Sequence, residues 1–206
     1  MSAPLPEDRL IAVALGHVER RGMHAWGLHG AAHWWRVRHN ALLLAPGTGA
    51  DARVIRLFAI FHDAFREDDG YDAEHGPRAA AWLREVRAGR TPAADPACET
   101  TERELRGLRD EDFSRLVEAC RLHTSATHHG DATVATCFTA DRLDLGRVGH
   151  TPDPHRMPVA RELVDDRTIA AAMARTRLGL AWTDAATLAE TWGVTPPTRL
   201  FSKGAG

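Results

Sequence analysis

The sequence predicts an all-α protein, a single bundle of about 7–9 helices. Three observations carry that expectation. Apolar residues recur at helical spacing over most of the chain, and no stretch alternates apolar and polar residues at the period of a strand. The periodic stretches are separated by clusters of Gly and Pro: "APGTGAD", "GRTPAADPAC", "GHTPDPHRMP" and "GVTPPTR". The length of 206 residues, with 44% hydrophobic content, suits one domain with a real core, so 1–206 is taken as one unit.

Taken in order, the helices are expected at roughly 7–21, 30–45, 51–66, 76–89, 111–125, 131–147, 161–179 and 183–192. Connections are then expected at 46–50, 67–75, 90–110, 126–130 and 148–160. Asp51, Asp131 and Asp184 each precede a periodic stretch, where a carboxylate accepts from the free N–H groups of a first turn. Pro77 suits a first helical turn, where its missing N–H is not needed. The stretch 51–66 holds the most apolar run in the chain, "LFAIF", and it runs straight into His62 and Asp63.

The net charge of -2 argues against nucleic acid and against a basic membrane-binding surface. The start "MSAPLPEDRL" has no basic segment, and no long apolar run follows it. A cytoplasmic protein without a membrane span is therefore expected. Cys98, Cys120 and Cys137 form no paired motif, which suits a reducing compartment and speaks against zinc held by cysteine. Basic residues are nearly all Arg, so a single Arg carries little functional weight. The 12 His are the unusual feature, since His is both the commonest metal ligand and the neutral-pH acid or base.

One His-Asp dipeptide, His62-Asp63, is about what composition alone yields in a chain of this size. It gains meaning from where other polar residues fall. His33 leads the apolar face Val37, Ala41, Leu44, with Arg36 and Asn40 beside it. His62 follows Phe58 by one turn. His75 precedes the face Ala79, Leu83, Val86. His123 continues Phe113, Leu116, Val117, Cys120, and Asp141 lies inside the stripe Val134, Cys137, Phe138, Leu145. Each alone reads more readily as a hydrogen-bonded core residue. Together, several polar groups on apolar faces need a common partner, because burial without one is costly. Bundles build metal sites by projecting ligands inward from facing helices. Four imidazoles with two carboxylates suit a divalent transition metal (Fe, Mn, Co, Ni or Zn) rather than calcium.

The order His33, His62-Asp63, Asp141 resembles the HD-domain superfamily of metal-dependent phosphohydrolases. The segments that carry the resemblance are "HGAAHWWRV", "FAIFHDAFR" and "TADRLDLGR", spanning about 29–147. "EHGPRAA" and "RLHTSATHHGD" are similar to further segments of those members that hold two metals. The resemblance implies an HD-type helical domain with C-terminal helices at about 160–192 and a site for one or two ions. Asp63 would bridge, His33 with His62 and Asp141 would hold one ion, and His75 with His123 would hold the other. Asp144 and Arg147 would support the closing Asp141. His128 and His129 lie between His123 and Asp141; either is an alternative ligand, and both are candidates to touch substrate.

The implied activity is hydrolysis of a phosphoester through metal-activated water, with Asp63 fixing the metals. The implied substrate is a small phosphorylated molecule such as a nucleotide. Arg66 is a candidate for substrate phosphate, with surface pairing to Glu67 or Asp69 as its alternative. Arg36 and Arg147 are candidate substrate contacts, with a structural role as theirs. Trp34, Trp35 and Trp82 are candidate base-stacking residues, with core packing as the alternative. Two other functions are compatible with the same ligands: a di-iron oxygenase, and a silent nucleotide-binding protein. A homo-oligomer is compatible with the sequence.

Overall fold

The computed structural model describes residues 6–90 and 96–177, with side chains from 9 to 90 and from 99 to 177. The helix expected at 183–192, with its Asp184 cap, lies outside the described residues. The described residues form α-helices and short 3₁₀ turns, with no strand among them. The helices are α1 (Pro6–Arg20), α2 (Ala31–Thr48), α3 (Ala52–Phe61), α4 (His75–Arg87), α5 (Pro96–Arg106), α6 (Asp110–Leu122), α7 (Ala132–Arg142) and α8 (Asp166–Arg177). 3₁₀ turns at Leu145–Val148, Pro154–Arg156 and Arg161–Leu163 connect α7 to α8. None of the described helices is long and apolar enough to cross a membrane.

The bundle is organised around α3, which packs against α1, α2, α6 and α7. Its sequence explains its place. Val54, Ile55, Leu57, Phe58, Ala59, Ile60 and Phe61 are all buried, so the helix is apolar on nearly every side. Asp51 caps it, accepting from the N–H groups of Arg53 and Val54. The expected helix runs on to 66, but α3 stops at Phe61 and His62 is its C-cap. The apolar pattern misleads here because Ala64 and Phe65 beyond the end are also buried, as parts of a turn.

Asp131 caps α7 in the same way, accepting from Thr133 and Val134. α2 runs past Pro46 to Thr48, where a connection was expected; a proline near the end of a helix removes only one hydrogen bond there. Gly49, at φ 71°, then ends it with an N–H donated to the Ala45 carbonyl. The expected helix at 131–147 is divided between α7 and the 3₁₀ turn at Leu145–Val148, and that at 161–179 begins only at Asp166.

α5 corrects the largest misreading, since 90–110 was expected to be a connection. It packs on α1 and α4. Its inner face has Thr100 and Thr101 with Leu105, so it buries threonines where an apolar stripe would have announced a helix. Trp34 is fully buried in the core, and Trp82 packs on Phe61 and Phe65. Trp35 stacks on His39.

Two close approaches bring the polar residues together. A Cβ on Gly76 would stand 2.4 Å from the Cys120 carbonyl oxygen, so only glycine lets the start of α4 meet the end of α6. A Cβ on Gly30 would stand 2.1 Å from the Ala25 carbonyl oxygen, which sets the entry into α2. Gly76→Ala is expected to destabilise the fold by about 1–3 kcal/mol, the usual effect of forcing an extra carbon into a packed contact. Urea unfolding followed by circular dichroism measures it.

Candidate metal centre

The six residues expected as ligands come from five helix ends. His33 is in the first turn of α2, and His62 and Asp63 follow α3. His75 opens α4, His123 caps α6, and Asp141 sits in the last turn of α7. His33, His62, Asp63, His75 and His123 are buried. They form two groups that share Asp63: His33, His62 and Asp63, and Asp63, His75 and His123. Within each group the ligand atoms lie within 4.8 Å of one another.

The two oxygens of Asp63 divide the work. Oδ2 stands 3.4 Å from His33 Nε2 and 3.7 Å from His62 Nε2. Oδ1 stands 3.0 Å from His75 Nε2 and 3.6 Å from His123 Nε2. Each imidazole turns Nδ1 away, toward an oxygen. His33 Nδ1–H donates to Asp144 Oδ2 at 2.7 Å. His62 Nδ1–H faces the carbonyls of Phe58 and Ala59, and His123 Nδ1–H that of Cys120 at 2.8 Å. His75 Nδ1–H faces the Asp72 carbonyl. For His62 and His123 the acceptors belong to the last turn of the preceding helix, where carbonyls lack helical partners. A His placed just past a helix end thus has its tautomer set by the helix itself.

With Nδ1–H so engaged, the four Nε2 atoms converge on Asp63. They pair off face to face: His33 with His62 at 3.1 Å, and His75 with His123 at 2.9 Å. Two neutral imidazoles facing through Nε2 lone pairs repel, and a cation between them removes the conflict. Asp141 adds a second sign. Its Oδ1 is 3.3 Å from His33 Nε2 and 3.9 Å from His62 Nε2, yet this buried oxygen has no hydrogen-bond partner. An unsatisfied buried carboxylate oxygen beside two imidazole nitrogens is what a ligand atom looks like. The residues therefore fit a metal ion, and both groups could hold one.

The electrostatics agree. Burial and the neighbouring Arg147 oppose charge on His33, but the close carboxylates of Asp141, Asp144 and Asp63 outweigh them and raise its pKa to about 9. Burial drives His62 the other way, down to about 3. Burial opposes the charge of Asp63, yet His62, His123, His29 and His33 around it hold it well below the usual carboxylate range. Asp141 is held below that range against its burial, by His33, Arg147 and His62. Asp144 is held at about 2 against its own burial, chiefly by His33 and then Arg36. A proton on His33 therefore joins the charges of Arg36 and Arg147 among these carboxylates.

The supporting residues divide by position. Asp144 accepts from His33, from Arg36 Nε at 2.6 Å and from the Thr176 hydroxyl at 2.9 Å. Arg36 is thus buried behind the site and does not line the cavity in front of it, which corrects its candidacy for substrate. Arg147 does line that cavity. It lies 3.9 Å from both Asp63 and Asp141, and its buried Nε has no partner. Arg66 also lines the cavity. The carbonyls of Asp68 and Gly70 hold it, rather than a surface carboxylate, and its Nη1 lies 3.6 Å from Asp63 Oδ1.

His128 and His129 are not brought to the site. His128 is exposed in the turn after α6, and His129 faces Glu118 and the Asp131 N–H. His123 takes the position that the sequence leaves open among the three. Trp34, Trp35 and Trp82 are likewise away from the cavity, and the aromatic side chain at its edge is Tyr71. Two residues with a place here carry little sequence signal. His29 meets Asp63 Oδ2 at 2.9 Å, from the turn before α2; its one hint is a position a helical turn ahead of His33. Thr176 reaches Asp144 from α8.

Compared with known proteins, the chain matches no family model, no curated protein and no solved structure. What the site does must be read from its own geometry.

The raised pKa of His33 has a testable consequence. A group raised in the fold stabilises the metal-free protein below its unfolded pKa of about 6.5 and loses that contribution as pH rises through about 9. A metal needs the same Nε2 without its proton. Binding at pH 7.5 is therefore expected to release about one proton per ion at the His33 group. Its affinity should rise with pH up to about 9. Zn²⁺ calorimetry in buffers of different ionisation enthalpy measures both.

Proposed function

We propose that the chain is a metal-dependent phosphohydrolase of the HD type, acting on a small phosphoester such as a nucleotide. One observation carries the reading: Asp63 stands between two pairs of imidazoles, one oxygen toward each, with all four Nε2 atoms turned inward. That arrangement suits two divalent transition-metal ions sharing one carboxylate. The resemblance of "HGAAHWWRV", "FAIFHDAFR" and "TADRLDLGR" to HD-domain segments supports the same reading. Divalent ions bound there would supply an acidified water and a polarised phosphoryl oxygen.

The rest of the chemistry belongs to the chain. A cavity of about 530 Å³ opens over the ligands, lined by Asp63, His75, His123 and Asp141 on its floor and by Arg66, Arg147 and Arg156 among its walls. Arg147 and Arg66 bring positive charge beside Asp63, so an anionic group entering the cavity meets charged N–H donors. Arg66 is held by two backbone carbonyls, which fixes its guanidinium before substrate arrives. Arg142, also in the wall, donates to the carbonyls of Ala126, Thr127 and Arg156 and so ties the cavity's two loops together. The cavity offers room for a small organic phosphate with Tyr71 at the rim, exposed and able to stack on a ring.

The chain, loaded in turn with Mn²⁺, Co²⁺, Ni²⁺, Zn²⁺ and Fe²⁺, is to be assayed for phosphate release from nucleoside and sugar phosphates. Release is expected with at least one metal, and Asp63→Ala should abolish both it and metal binding. Oxygen uptake by the iron form, with no phosphate released from any substrate, would overturn hydrolysis in favour of an oxygenase. Arg147→Gln should lower kcat/KM about tenfold to a hundredfold, the effect of losing one charged hydrogen bond of about 1.5–3 kcal/mol. Steady-state kinetics on the best substrate tests it.

A further inference from the structure

We infer that Thr176, in the last turn of α8, is a positioning residue of the metal centre: through Asp144 it fixes the His33 imidazole for its ion. The inference rests on the metal-binding reading above and extends it to a helix outside the segments that resemble HD proteins.

Asp144 is almost fully buried and carries three donors. His33 Nδ1–H occupies Oδ2, while Arg36 Nε and the Thr176 hydroxyl share Oδ1. Thr176 has one proton and two acceptors in reach, Asp144 Oδ1 at 2.9 Å and the Ala172 carbonyl at 3.0 Å. The ionised oxygen is the stronger acceptor and takes it. Arg36 and Thr176 come from different helices, so together they stop the carboxylate from turning about its own axis. The orientation of that carboxylate sets the orientation of His33, and with it the direction of the Nε2 lone pair. A hydrogen bond to the far side of a ligating imidazole also raises its basicity.

The seating of α8 is close enough for the hydroxyl to matter. A Cβ on Gly146 would stand 2.8 Å from Met173 Sδ and 3.2 Å from Thr176 Cγ2. The 3₁₀ turn at Leu145–Val148, which follows Asp144 directly, thus meets α8 so closely that one added carbon presses on Met173 and Thr176. The apolar cluster of Leu44, Leu143, Met157, Val164 and Ala172 fastens the same face of the helix one turn earlier. Because the contact runs both ways, an ion at His33 stabilises the docked α8 as much as the docked α8 stabilises the ion.

The test is Zn²⁺ affinity of the full metal-free chain, measured by competition with a chromophoric chelator, for wild type, Thr176→Val, Thr176→Ser and Gly146→Ala. Thr176→Val is expected to bind Zn²⁺ about tenfold more weakly at the His33 group, the scale of losing such a support. Thr176→Ser, which keeps the hydroxyl, should restore the affinity, and a purely packing role for Thr176 would not give that rescue. Gly146→Ala, which crowds Met173 and Thr176 without touching a ligand, should weaken binding too. Hydrogen exchange of α8 should slow when Zn²⁺ is added to the wild type. Wild-type affinity in folded Thr176→Val overturns the inference and leaves the metal reading standing. If Thr176→Val does not fold, wild-type affinity in Gly146→Ala together with α8 exchange indifferent to Zn²⁺ overturns it. A wild-type chain that binds no Zn²⁺ overturns both readings.

Discussion

Asp63 is a charged group with 3% of its surface exposed, and it is tolerable only because of what surrounds it. Burial of a lone carboxylate is among the most unfavourable things a fold can do. Here five imidazoles and two guanidinium groups close around it, drawn from segments far apart in the chain. The bundle is arranged to make that convergence possible. α3 is apolar on nearly every side so that it can occupy the centre, and the residues at its end, His62 and Asp63, are buried with it. α2, α6 and α7 all pack on it, with α2 against α7 and α4 against α6, which brings His33 and Asp141 together and His75 to His123.

The helices do more than hold positions. The last-turn carbonyls of α3 and α6 take the Nδ1 protons of His62 and His123. A backbone feature present at every helix end is thereby used to aim a side-chain nitrogen. His33 lacks such a carbonyl because it sits at a helix start, and it uses a carboxylate instead. That difference adds to the pull of Asp141 and Asp63 in moving the pKa values of His33 and His62, whose Nε2 atoms meet, in opposite directions. One is backed by charge and the other only by dipoles within a buried site.

Much of this site is legible in the sequence, because a polar residue on an apolar face carries a cost that demands an explanation. Asp141 within Val134, Cys137 and Phe138, and His123 after Val117 and Cys120, are readable for that reason. What is hidden depends on tertiary placement. His29 lies in a turn with no periodicity to mark it, and Thr176 sits on a helix half polar in composition, 32 residues after its partner Asp144. Arg36 looks the same from sequence whether it backs a carboxylate or meets a substrate. The end of α3 is hidden because buried turn residues continue the apolar pattern, and α5 because threonines fill its inner face.

The hydrogen bond from His33 to Asp144 spans 111 positions in the chain. Contacts of that range close late in folding, since the entropy of a long loop must be met before the contact contributes anything. A chain emerging from the ribosome presents His33, His62, His75 and His123 well before Asp141 and Asp144 exist. The early portion therefore holds the imidazoles and Asp63 without Asp141 and Asp144, and α8 is the last of the described helices to be made. Competence to retain a cation at the His33 group would thus arrive only with the final part of the bundle, making that half of the site a marker of a completed fold as well as a place for chemistry.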